Sequence, residues 1–138
     1  IVFLSAASVN ILGILLFSFG FTNTSLFEVD PGAFSHFGVC MIMVWGLAYL
    51  AAAGTATKNP WIALAFSVEK LVYVLRWTWW MSLHRALLPE LFEESIFTGL
   101  FFGIYGIVDF TFMILFFYIF WTYRKNNTES TYHEPTEP

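Results

Sequence analysis

Charge is what this chain has least of. Only 12% of its 138 residues are Asp, Glu, Lys or Arg, about half the share of an ordinary soluble domain. A surface that poor in charge is a poor match for water. Cysteine is nearly absent too: Cys40 stands alone, which excludes an intrachain disulfide framework, and its apolar surroundings mark it as a small hydrophobe. No C-x-x-C, H-E-x-x-H, glycine-rich phosphate loop or nucleophile elbow occurs, so the common zinc, nucleotide and hydrolase signatures are excluded. The net charge of −4, with no basic stripe, leaves no basis for a nucleic-acid partner.

Apolar and aromatic residues fill the space. Hydrophobic residues make up 58% of the chain and aromatics 21%, with 17 Phe and 6 Trp. Four apolar runs, Ile1–Phe21, Ala33–Ala53, Trp61–Met81 and Ile96–Trp121, each approach or exceed the ~20 residues that cross a bilayer core as helix. None alternates with period two, and in hydrocarbon a helix satisfies its own backbone, so the runs predict helices rather than barrel strands. The expected fold is an all-α integral membrane protein, a bundle of four transmembrane helices over residues 1–123, followed by a flexible polar tail over 124–138. The first run is too long for a typical signal-peptide core and no small-x-small cleavage site follows it, so it is expected to remain as a span.

Helix-boundary residues punctuate the runs: Asp30-Pro31-Gly32, Asn59-Pro60 and Ser95 supply cap or first-turn chemistry. Between Arg85 and Glu94, Leu87, Leu88, Leu91 and Phe92 interleave with glutamates, the pattern of a short amphipathic helix on a membrane surface. Trp61, Trp77, Trp79, Trp80 and Trp121 are expected in an interfacial aromatic belt. Lys58, Arg124 and Lys125 against Arg85 orient both termini to the cytoplasm under the positive-inside rule. The location predicted is multi-pass, in a bacterial inner membrane or its equivalent. Asn23-Thr24-Ser25 and Asn126-Asn127-Thr128 match the glycosylation sequon, which carries meaning only in a secretory host.

Four ionisable residues interrupt the spans: Glu69, Lys70, Arg76 and Asp109. Each costs about 2.5–3.5 kcal/mol at mid-bilayer on insertion scales, so the folded protein must offset them. Glu69, Lys70, Asp109 and Asn10 fall near the middle of three different runs, and the four ionisable residues are neutral in sum. At 100° per residue Glu69, Tyr73 and Arg76 share a stripe with Lys70 at its edge, while Tyr105 and Asp109 share a face of the fourth run. Gly99, Gly103 and Gly106 flank that face, where small residues admit a neighbouring helix. The seven residues Asn10, Glu69, Lys70, Tyr73, Arg76, Tyr105 and Asp109 are therefore expected to form a mid-membrane site that binds an amphipathic or lipidic small molecule or relays protons. The competing expectation is a non-catalytic accessory subunit of a larger membrane complex, whose buried charges only set helix register; the binding module itself is expected to stand alone or as a homo-oligomer. The residue types require no catalytic step and specify no cofactor. His36, Cys40 and Met43 at i, i+4, i+7, with His84 and Met81 at similar depth, offer soft ligands for copper or haem, but no tight multi-ligand motif supports a metal.

Overall fold

The computed structural model describes residues 1–55 and 58–132, and for 126–132 the backbone alone. Among the described residues all regular structure is helical, with no strand. Helix α1 covers Val2–Phe17 and contains a π-helical stretch, Val9–Gly13. It stops short of the expected Phe21 because the chain turns left-handed at Phe19, Gly20 and Phe21, with φ of 48°, 63° and 73°. Such angles cost a non-glycine residue about 1–2 kcal/mol. Local partners offset that cost: the Phe21 N–H donates to Ser18 Oγ at 3.1 Å, and Asn23 Nδ2 donates to the Phe17 carbonyl at 2.9 Å.

Two short helices follow, α2 (Thr24–Val29) and α3 (Pro31–Phe34). The second long helix, α4, covers His36–Ala52; it begins later than the expected Ala33 because Ser35 breaks the helix and its Oγ accepts from the Gly38 N–H at 3.2 Å, an N-cap. The third, α5 (Trp61–His84), runs past Met81. A 3₁₀ turn, Arg85–Leu87, then leads to the short helix α6, Leu88–Glu94, where the amphipathic pattern placed one. The last helix, α7, covers Ile96–Tyr132, so the backbone stays helical through the first part of the segment read as a tail; residues 133–138 of that segment lie outside the described residues.

Of the described helices α7 is long and apolar enough to cross a membrane, with mean hydropathy 2.1 over an 18-residue window within Ile96–Lys125. Helices α1 and α4 are apolar but shorter, and the 24 residues of α5 carry Glu69, Lys70 and Arg76, which depress its hydropathy. The four long helices pack side by side through two apolar clusters. One gathers Phe3 and Ala7 of α1, Tyr49 of α4, Phe66 of α5 and Phe112 and Phe116 of α7. The other gathers Ile14, Phe34, Ile42, Trp80, Phe102 and Tyr105, roofed by Leu26 and Phe27 of α2 and Leu91 of α6. Since the start of α1 and the later part of α7 share the first cluster, the chain enters and leaves at the same end of the molecule. The tryptophans divide: Trp61, Trp79 and Trp121 are exposed, whereas Trp80 is buried and Trp77 donates from Nε1 to the Phe102 carbonyl at 2.7 Å.

Glycines admit close approach at defined points. A Cβ on Gly46 of α4 would come within 2.6 Å of Ile11 Cγ1 and 3.2 Å of Asn10 Cβ, so α4 rests directly on the π-helical stretch. Gly106 is covered by the Trp77 indole and Gly99 by the Phe92 ring, whereas Gly103 meets nothing within 4 Å. Gly46→Leu is therefore expected to lower thermal stability by about 1–3 kcal/mol through overpacking. Gly103→Leu is expected to stay within about 0.5 kcal/mol of the parent. Parallel circular-dichroism melts in mild detergent check the pair.

Candidate functional site

The two apolar clusters leave a polar layer between them, and α1 supplies its first member through an irregularity. A π turn inserts one extra residue into helical spacing, and such bulges recur at functional sites. Here it carries Asn10, which is 4% exposed. Its Nδ2 donates to the Ile42 carbonyl of α4 at 3.1 Å, and its Oδ1 accepts from Lys70 Nζ of α5 at 3.0 Å. One amide thus ties three helices.

Lys70 is 2% exposed, a position that ammonium groups occupy only when paired. Its Nζ lies 2.7 Å from Asp109 Oδ1 of α7 and stands over the rings of Tyr49 and Tyr73, 5.4 and 5.9 Å from their centroids. Carboxylate, amide oxygen and two aromatic faces together replace the water the ammonium gave up. Glu69 accepts a hydrogen bond from the Tyr49 hydroxyl. Its second oxygen, Oε1, is buried with no hydrogen-bond partner among the described residues, as is the Tyr105 hydroxyl.

Asn10, Lys70, Tyr73, Tyr105 and Asp109 border a single cavity of about 80 Å³, open on one side. Its remaining walls are apolar: Val9, Gly13, Ile14 and Phe17 of α1, Phe34 and Ile42, and Phe101, Ile104 and Val108 of α7. Gly13 borders it with no atom within 4 Å of where a Cβ would stand. The expected site residues thus fall into three groups. Five meet at the cavity, and Glu69 sits behind Lys70 with Tyr49. Arg76 lies apart: its Nε donates to Asp30 Oδ2 at 2.9 Å and its Nη2 pairs with Oδ1, while its guanidinium lies 4.7 Å over Trp79. This pair fastens the α2–α3 connection, and with it Phe34, onto the second half of α5. The four expected intramembrane charges consequently do not close on themselves. With Arg76 committed to Asp30, the polar layer keeps Asp109 on Lys70 and Glu69 on Tyr49.

Tyr49 and Asp30 were not singled out by the sequence. Tyr49 is one hydroxyl in an apolar run, and only its depth, close to that of Glu69 in an antiparallel neighbour, marks it. Asp30 read as helix-start chemistry beside Pro31. The soft-ligand residues are dispersed: the His36 ring stacks on Phe27 at 4.1 Å and His84 on Trp80 at 5.6 Å, and Cys40 is exposed. Among the described residues no three His, Cys, Asp or Glu side chains converge on a point a metal could occupy.

Lys70→Met removes the buried cation that pairs with Asp109, and a loss of about 3–5 kcal/mol is expected. Adding Asp109→Asn should restore part of it, so that the double variant is more stable than the sum of the singles by at least about 1 kcal/mol. Reversible unfolding in mixed micelles measures the cycle, and strict additivity would show that the two side chains are not coupled.

Compared with protein-family models, curated proteins and solved structures, the chain matches none.

Proposed function

We propose that this chain is a four-span membrane protein that binds a small amphipathic or lipidic molecule in the cavity above Lys70 and Asp109. The membrane part of the reading rests on the outer surface. Leu12, Leu47, Val72, Leu75, Ile107 and Phe117 are all exposed, on all four long helices, and contiguous apolar surface of this kind fits lipid rather than water. A span need not be as apolar as α7 when its polar side chains face neighbours, and Glu69 and Lys70 do so. At 1.5 Å per residue α4 is about 25 Å long, short of the ~30 Å hydrocarbon thickness by an amount that local thinning accommodates.

The binding part rests on one observation: a partly open apolar cavity is bordered by the Lys70–Asp109 ion pair. Concave apolar walls with a few convergent polar groups are the usual form of a small-molecule site. At about 80 Å³ it is about half the size of a cavity that admits benzene. It therefore takes a head group or a short chain segment, with the remainder leaving through the open side. Proton relay is less well supported, because apolar clusters flank the polar layer on both sides.

Topology and binding are separable in experiment. In a Cys40→Ser background, single cysteines at Thr24 and Glu90 are expected to react with an impermeant maleimide on intact cells, and those at Lys58 and Lys125 only after lysis. Equal labelling of all four would overturn the four-span arrangement. For binding, Gly13→Leu fills the cavity at a position where the new side chain meets open space, and replacing a helical glycine favours the fold by up to about 1 kcal/mol. Mass spectrometry of organic extracts from protein purified in mild detergent should recover a stoichiometric small molecule from the parent and several-fold less from Gly13→Leu. Equal recovery would sink the cavity reading, and a chain that folds only with a co-purifying polypeptide would turn it toward a subunit of a larger complex.

A further inference from the structure

The cavity opens between two helices, and the position of its mouth limits what can enter. Of the residues that line it, Val9 of α1 and Ile104 of α7 are exposed, at 42% and 37%, whereas Ile14, Phe34, Ile42, Phe101 and Tyr105 are buried. The mouth is therefore the crevice between α1 and α7. These helices touch through aromatic rings on either side of it: Phe3 meets Phe116 at 5.1 Å between centroids, and Phe17 meets Phe101 at 5.5 Å. A guest enters sideways between those contacts, from the apolar outer surface on which Leu12 and Ile107 are exposed.

Inside, the accessible lining is almost entirely apolar. The two charged residues that border it are spent on each other, Lys70 Nζ standing 2.7 Å from Asp109 Oδ1. The Asn10 amide is taken by Lys70 and the Ile42 carbonyl, and the Tyr105 hydroxyl is itself buried. A polar head group brought here would give up its water and find no free partner on the cavity surface. A hydrocarbon segment leaves nothing unpaired and gains close contact with the Phe34 and Phe101 rings. Depth adds to this. Val9 and Lys70 lie near the middle of α1 and α5, so in the four-span arrangement the mouth opens about 15 Å from either head-group region of a ~30 Å hydrocarbon core, at the level where acyl chain ends lie.

From this we infer that the occupant is the terminal segment of a bilayer lipid's acyl chain, which enters sideways between α1 and α7 while the head group stays at the membrane surface. The inference rests on the binding reading above and adds to it which end of the ligand goes in and by what route.

The test reconstitutes the full chain in dioleoylphosphatidylcholine vesicles holding a trace of one of two photoreactive phosphatidylcholines, with a diazirine at the end of an acyl chain or on the head group. After irradiation, peptide mass spectrometry maps the adducts. Ile14, Phe34, Phe101 and Tyr105 are the diagnostic positions, because they are buried and surrounding lipid reaches only exposed side chains. The chain-end label is expected to mark them several-fold more than the head-group label. Gly13→Leu, which fills the cavity, should lower that marking several-fold while adducts at the exposed Leu12 and Ile107 persist. Equal marking by the two labels, or more by the head-group label, in the parent and lost in Gly13→Leu, would overturn the chain-end assignment and leave a binding cavity in place. No marking of the four buried positions by either label would overturn the acyl chain; a small molecule recovered from the parent by organic extraction would then keep the cavity, and none recovered would remove both.

Discussion

An ammonium group out of water needs several partners at once, and that requirement organises this molecule. Lys70 reaches Asp109 on α7 at 2.7 Å and Asn10 on α1 at 3.0 Å, and Asn10 in turn holds the Ile42 carbonyl of α4. A helix displaced by a few ångströms would leave at least one buried polar atom without its bond, at about 1–3 kcal/mol or more for a charged group. Apolar packing tolerates sliding far better. Register among the four long helices is therefore set by these contacts, while the aromatic clusters on either side supply bulk attraction.

The π-helical stretch makes that geometry reachable. Gly46 lets α4 lie against Ile11 and Asn10, and the widened turn from Val9 to Gly13 carries Asn10 between α4 and α5 while leaving Gly13 over open space. Cavity and tether thus come from one local irregularity. Neither follows from the long apolar run in which they lie, where every residue is compatible with an ordinary helix.

Much of the fold was legible because apolar run length and boundary chemistry are local properties. The starts of α5 at Trp61 and α7 at Ile96 follow Pro60 and Ser95, and the helix after Leu87 follows the leucine–glutamate pattern. Boundaries failed where tertiary contacts decide them. Phe17 ends α1 because Asn23 and Ser18 capture the turn, although Phe19 and Phe21 prolong the apolar run. The convergence of Asn10, Lys70 and Asp109 was legible from depth alone, since polar groups in apolar helices have few other places to go. The pairing was not: phase could place Arg76 on the Glu69 stripe, but only the path of the α2–α3 connection shows that Asp30 arrives there first. Tyr49 had no signal beyond its depth, because one hydroxyl among aromatic neighbours reads as core.

The polar layer also divides each helix along its length. Above and below it lie separate apolar clusters that share almost no side chains, so α1, α4, α5 and α7 each belong to two packing units joined at one level. Local openings in proteins follow packing units rather than secondary structure. The end capped by α2 and α6 can therefore loosen around Phe34 while Phe3, Tyr49, Phe66 and Phe116 stay closed at the other. The cooperative seam of this molecule runs across its helices, through Asn10, Lys70 and Asp109, instead of between them.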